Sequence, residues 1–163
     1  MADEVDDIVA AWGAELPGLD VQPMHVLSRV SRLARHLDLA RRQAFADHEL
    51  EAWEFDVLAA LRREGPPYVL SPGELTRQTL STSGTMTNRL DRLEQKGLVV
   101  REPNADDRRG VRVRLTGEGA GRVAAALDDL LVFERRLLAG LDAEDSSRLA
   151  GALRSLLATF EAR

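Results

Sequence analysis

The chain has no cysteine, an absence that removes disulfide frameworks, thiolate zinc sites and thiol redox switches. Histidine is scarce, with 3 in the chain. His25 and His36 fall on one expected helix about 16 Å apart, too far to share a metal. No apolar run approaches the roughly 20 residues of a membrane-spanning helix, and the acidic N-terminus lacks the basic and apolar segments of a secretory signal. A cytoplasmic protein without membrane association is expected. There is also no glycine-rich phosphate loop, nucleophile elbow or metal-ligand spacing, so neither an enzyme nor a cofactor or metal site is expected.

What is present is a chain of 163 residues with 44% apolar content, enough for one domain carrying helical extensions. Its net charge of −5 is unevenly spread. The segment from Ser71 to Thr116 holds nine basic and six acidic residues, so it carries +3 against −8 for the remainder. Exposed charges are screened beyond about 8–10 Å, so the local patch governs attraction to phosphate. All but one of the basic residues are arginine, a side chain suited to bidentate contacts.

Within the basic segment, Ser71-Pro72-Gly73-Glu74 combines a helix cap, a proline at the first helical position and a glutamate that reaches back to the cap. After Leu80, the run Ser81-Thr82-Ser83-Gly84 supplies a turn and a fresh cap. A second helix is predicted from about Ser83 to about Lys96, stopped by Gly97 in a left-handed conformation. Met86, Leu90 and Leu93 form its apolar stripe. The opposite side carries Gly84, Thr85, Asn88, Arg92 and Gln95. Together with Ser83, the residues Thr85, Asn88 and Arg92 have the chemistry of base and phosphate contact; the same face also suits simple solvation.

Two strands are expected next, Leu98-Val99-Val100-Arg101 and Val111-Arg112-Val113-Arg114-Leu115, flanking Asn104-Ala105-Asp106-Asp107-Arg108-Arg109-Gly110. The second alternates apolar with arginine, as a half-buried strand does. At the hairpin tip Arg108 and Arg109 suit a narrow minor groove, with the aspartates bracing the loop. A charged, solvated hairpin is the alternative. Helix, turn, helix and hairpin in this order describe a winged helix-turn-helix.

Residues 50 to 122 resemble the multiple-antibiotic-resistance regulator (MarR) family. Leu90-Asp91-Arg92-Leu93-Glu94-Gln95-Lys96-Gly97-Leu98-Val99 matches its recognition-helix ending, and Asp106-Asp107-Arg108-Arg109-Gly110 followed by Val113-Arg114-Leu115-Thr116 matches its wing. The resemblance implies a mainly α fold with a small β-hairpin wing in an intertwined helical homodimer. It further implies a DNA-binding transcriptional regulator, by default a repressor, on a palindromic operator. The lack of cysteine departs from the branch of the family that senses peroxide through a reactive thiol.

Further helices are expected over Ala2 to about Glu15, about Gln22 to about Asp47, about Glu51 to Arg63, from after Thr116-Gly117-Glu118-Gly119 to about Ala139, and from Asp142 or Ala143 to about Glu161. This divides the chain into residues 1–47, N-terminal helices; 48–116, the DNA-binding unit; and 117–163, C-terminal dimerisation helices. Leucines such as Leu127, Leu131, Leu138, Leu149 and Leu156 recur at helical spacing and need a surface to cover them. Intramolecular packing or a dimer would serve. A helical protein-interaction module without DNA binding could use the same stripes, but would not need the arginine-tipped hairpin.

Three residues stand apart by position. Trp12 lies in an extra N-terminal helix, Asp56 sits where apolar residues occur almost all round its helix and so is expected to be only partly hydrated, and Arg89 should point along the helix flank towards the protein body. With Arg101 they resemble the urate-responsive subgroup of the family. That resemblance implies Arg89 and Arg101 as ligands of a small anionic effector, urate or a citrate- or aconitate-like acid. Asp56 would sense its charge, and Trp12 would close or support the pocket. The simpler reading pairs Asp56 with an arginine and makes Trp12 a core anchor.

Overall fold

The computed structural model describes residues 2–104 and 110–161. In order along them come α1 (Glu4–Glu15), α2 (Gln22–Ala46), α3 (Ala52–Arg63), β1 (Val69–Leu70), α4 (Pro72–Gln78) and α5 (Ser83–Gln95). There follow β2 (Val99–Pro103), β3 (Val111–Leu115), α6 (Gly117–Leu138) and α7 (Ala143–Glu161). The expected mainly α fold with a small wing is present, and the helices begin where local chemistry satisfies their free amides. Ser71 Oγ accepts the Glu74 amide at 3.3 Å, and Glu74 Oε2 accepts the Ser71 amide at 2.7 Å, forming the reciprocal cap of α4. Thr82 caps α5 and Thr116 caps α6 in the same way through single hydroxyl acceptors.

Gly97, at φ 70°, ends α5. The amides of Gly97 and Leu98 each reach back 2.9 Å, to the carbonyls of Glu94 and Leu93, so the last orphan acceptors are used. The chain then enters β2. A third strand, β1, completes an antiparallel sheet in the order β1-β3-β2. Its two residues pair Val69 with Arg114 and Leu70 with Val113; a run that short carries no readable period.

One apolar core joins the end of α2, α3, the winged unit and the first half of α6, with Phe45, Leu58, Leu75, Met86, Leu93, Val113 and Ala126 among its members. Phe45 and Phe55 stack with ring centroids 4.0 Å apart. Helix α6 closes directly over the start of β2. A Cβ on Gly119 would lie 2.3 Å from the Leu98 carbonyl oxygen, so only glycine permits this approach. The outer helices are different in character: Leu27, Leu131, Phe133, Leu157 and Phe160 expose large apolar side chains. Among the described residues no helix is long and apolar enough to cross a membrane.

Candidate nucleic-acid interface

Helices α4 and α5 are joined by a turn built from hydroxyl groups and one left-handed residue. Thr79 Oγ1 donates to the Leu75 carbonyl at 2.8 Å, Leu80 adopts φ 49°, and the Ser81 amide reaches the Thr76 carbonyl at 3.1 Å. Thr82 Oγ1 then accepts the Thr85 amide at 3.3 Å. This fixes α5 with Met86, Leu90 and Leu93 buried in the core. The reverse side is open: Ser83, Thr85, Asn88 and Arg92 are all exposed. Thr85 shares its hydroxyl with Thr82 at 2.8 Å, which orients it at the first turn.

The wing hairpin pairs in register from Val99 opposite Leu115 to Pro103 opposite Val111. The Asn104 amide donates to the Gly110 carbonyl at 2.9 Å as the strands separate. Val113 and Leu115 face the core while Arg112 and Arg114 lie on the partly exposed side. Arg114 Nε donates to Glu102 Oε1 at 2.9 Å across the hairpin, which holds the Glu102 carboxyl below its ordinary range. Arg108 and Arg109 lie outside the described residues.

The remaining expected site residues occupy separate contacts in the single chain. Arg89 is half-buried and its guanidinium lies 5.4 Å over the Trp53 ring of α3, the same ring that Arg92 of the exposed face covers. Arg101 Nη1 pairs with Asp91 at 2.6 Å and with Glu94 at 3.0 Å, and Nη2 donates to the Thr87 carbonyl at 3.2 Å, binding the root of the wing to the flank of α5. Trp12 is 48% exposed, so it is no core anchor within one chain. Val5 and Val9 precede it on the buried stripe of α1, but the stripe outruns what the chain itself covers.

Asp56 has the arginine partner that the simpler reading gives it. Its side chain is 49% exposed and pairs with Arg41 at 3.2 Å, because it occupies the one outward step between Phe55 and Val57. The carboxylate that does enter the interior is Glu54, at 0% exposure. Glu54 Oε2 accepts the Glu51 amide at 2.9 Å and Lys96 Nζ at 2.8 Å, tying the start of α3 to the end of α5. Burial of a charge requires such a partner.

Residues 48–110 match the model of the MarR family. A curated relative, the HTH-type transcriptional regulator PecS of Dickeya dadantii, is 40% identical over 92% of this chain and 90% of its own length. The chain belongs to the MarR family. The HTH-type transcriptional repressor NicR of Pseudomonas putida is 34% identical over 73% of each chain. Among solved structures, a mutant MarR from E. coli complexed with operator DNA superposes with a TM-score of 0.68 at 27% identity, covering 90% of this chain and 97% of that one. The homologues are transcriptional regulators and not enzymes.

Within this MarR-family chain, sequence reasoning missed a cluster on α3 that backs the exposed arginine of α5. Arg92 Nη2 pairs with Glu51 Oε1, Arg92 lies 4.9 Å over the Trp53 ring, and Trp53 Nε1 donates to Glu51 Oε2 at 2.8 Å. Glu51 and Glu54 are spaced as a cap pair, which is the one local sign in the sequence; their lysine and arginine partners lie forty or more residues away and have no local signature.

Proposed function

We propose that the chain is a ligand-responsive repressor whose homodimer binds a palindromic operator in the cytoplasm. The observation that carries this reading is the division of α5: Met86, Leu90 and Leu93 are sunk in the core while Thr85, Asn88 and Arg92 stand open beside the wing. Asn88 would read adenine, Arg92 guanine or phosphate, and Ser83 and Thr85 the sugar-phosphate backbone or a thymine methyl group. Arg108 and Arg109 would enter the flanking minor groove. Two-fold symmetry would set the recognition helices about 34–36 Å apart, one turn of duplex. Retention of a fragment from the chain's own upstream region, weakening as salt rises, tests this; equal retention of unrelated DNA would refute sequence-specific reading.

The effector would be a small anion, urate or a citrate- or aconitate-like acid, held by Arg89 and Arg101 with Asp56 sensing its charge and Trp12 closing the pocket. In support, Arg89 is half-buried and Arg101 joins the wing root to α5. An anion that drew Arg101 from Asp91 and Glu94 would alter the seat of the wing, shifting the population away from the DNA-competent arrangement by no more than its differential affinity for the two states. Titrating operator-bound protein with both acid classes should release DNA for one of them. A full response retained by Arg89→Ala would remove the pocket assignment.

A further inference from the structure

The outward arginine of α5 has partners within its own chain. Arg92 is paired to Glu51 and laid over the Trp53 ring at 4.9 Å, while the indole Nε1 holds the other oxygen of the same carboxylate at 2.8 Å. The Trp53 hydrogen bond, followed by Arg92, keeps the Glu51 carboxyl below its ordinary range, so Glu51 stays ionised. A flat indole beneath a guanidinium restricts its rotamers and directs its planar fork. Both charged side chains are about half exposed, at 54% and 52%, so the pair adds little to folding stability. Its consequence is for whatever else approaches Arg92.

A phosphate arriving at Arg92 must displace Glu51 and then sit beside the carboxylate it displaced, within a Debye length and with like charge. A guanine edge offers two acceptors in the plane of the guanidinium and carries no formal charge, so it suffers much less from the same neighbour. Resting on the reading that the exposed face of α5 enters DNA, we propose that Glu51, positioned by Trp53, is a specificity-determining residue. It competes within the chain for Arg92 and thereby suppresses binding to non-cognate duplex. Trp53 is the positioning residue that aims both members of the pair.

The test uses the full-length protein and an operator enriched by the wild type from a random duplex library, with a scrambled duplex of equal length and composition as control. Affinities are read by fluorescence anisotropy across a salt series. Glu51→Gln retains an acceptor for the indole but removes the charge. It should bind the scrambled duplex about fivefold more tightly at 0.15 M salt, with a log–log salt slope steeper by about 0.9, the signature of one further phosphate contact. Operator affinity should change less, so the discrimination ratio falls. Trp53→Phe keeps a ring under Arg92 but loses the indole donor, and should shift in the same direction by a smaller factor. Unchanged scrambled affinity and salt slope in Glu51→Gln, with wild type still discriminating, overturns the proposal and leaves the DNA reading intact. A parallel loss for both duplexes also overturns it, by making Glu51 merely structural. Failure of the wild type to enrich any sequence overturns the DNA reading and the proposal together.

Discussion

Lys96 neutralises a carboxylate that has no access to solvent. Glu54 is fully buried and Lys96 Nζ stands 2.8 Å from it, with the lysine side chain itself 38% exposed. Removing the lysine would leave an ionised group without its counter-charge, the expensive half of breaking any buried pair. Lys96→Met should therefore destabilise the fold by about 1–3 kcal/mol, measured as a fall in the urea midpoint. Adding Glu54→Gln to that variant should restore part of the loss, since the buried charge is then gone. At this scale the sequence was a partial guide. The exposure of Thr85, Asn88 and Arg92 followed from helical spacing alone, whereas spacing singled out Asp56, only partly hydrated, and gave no sign that Glu54 is the carboxylate of α3 that the structure buries. A helix face hydrophobic on nearly every side does not disclose which acidic residue has a cation opposite it.

The start of helix α4 depends on an ionised group. Glu74 accepts from the backbone and the hydroxyl of Ser71, and these two bonds hold its carboxyl below the ordinary carboxylate range, backbone contribution first. A carboxyl with a depressed folded-state value stabilises the fold above its unfolded value of about 4.5 and loses that contribution as pH falls through the lower folded value. Glu74→Gln keeps an acceptor for Ser71 but loses the charge, so it should cost about 0.3–1 kcal/mol at neutral pH, and its stability gap from wild type should narrow as the solution is acidified below about pH 4.5. Chemical denaturation at a series of pH values checks both. Caps, breakers and periodicity are short-range physics, which is why the start of α4 and the end of α5 were legible from Ser71 and Gly97, while α6, expected only after Gly119, begins at Gly117 behind its Thr116 cap. The edge strand β1 was not, because two residues become a strand only when β3 is there to pair with them.

At the scale of the whole molecule, the apolar residues exposed on α1, α2, α6 and α7 require a cover. Leu27, Leu131, Phe133, Leu157 and Phe160 are open in the single chain, and a groove of about 640 Å³ lined by Val26, Val30, Leu33, Leu149 and Leu153 separates α7 from α2. A second copy would bury such surface at about 25 cal/mol per Å² of apolar area. Light scattering at micromolar concentration is expected to return twice the chain mass. A monomer would count against both the dimer and the two-half-site operator. Sequence alone determined the order of helices, the caps of α4 and α5, the buried stripe and open face of α5, and the alternation of the wing, because each depends on residues within a turn or two of one another. Tertiary structure alone decided that Glu51 and Trp53 meet Arg92, that Glu54 meets Lys96, and that Arg101 is held by Asp91 and Glu94. Those partners are chosen by the way α3, α5 and β2 cross, and no local rule of spacing encodes a crossing.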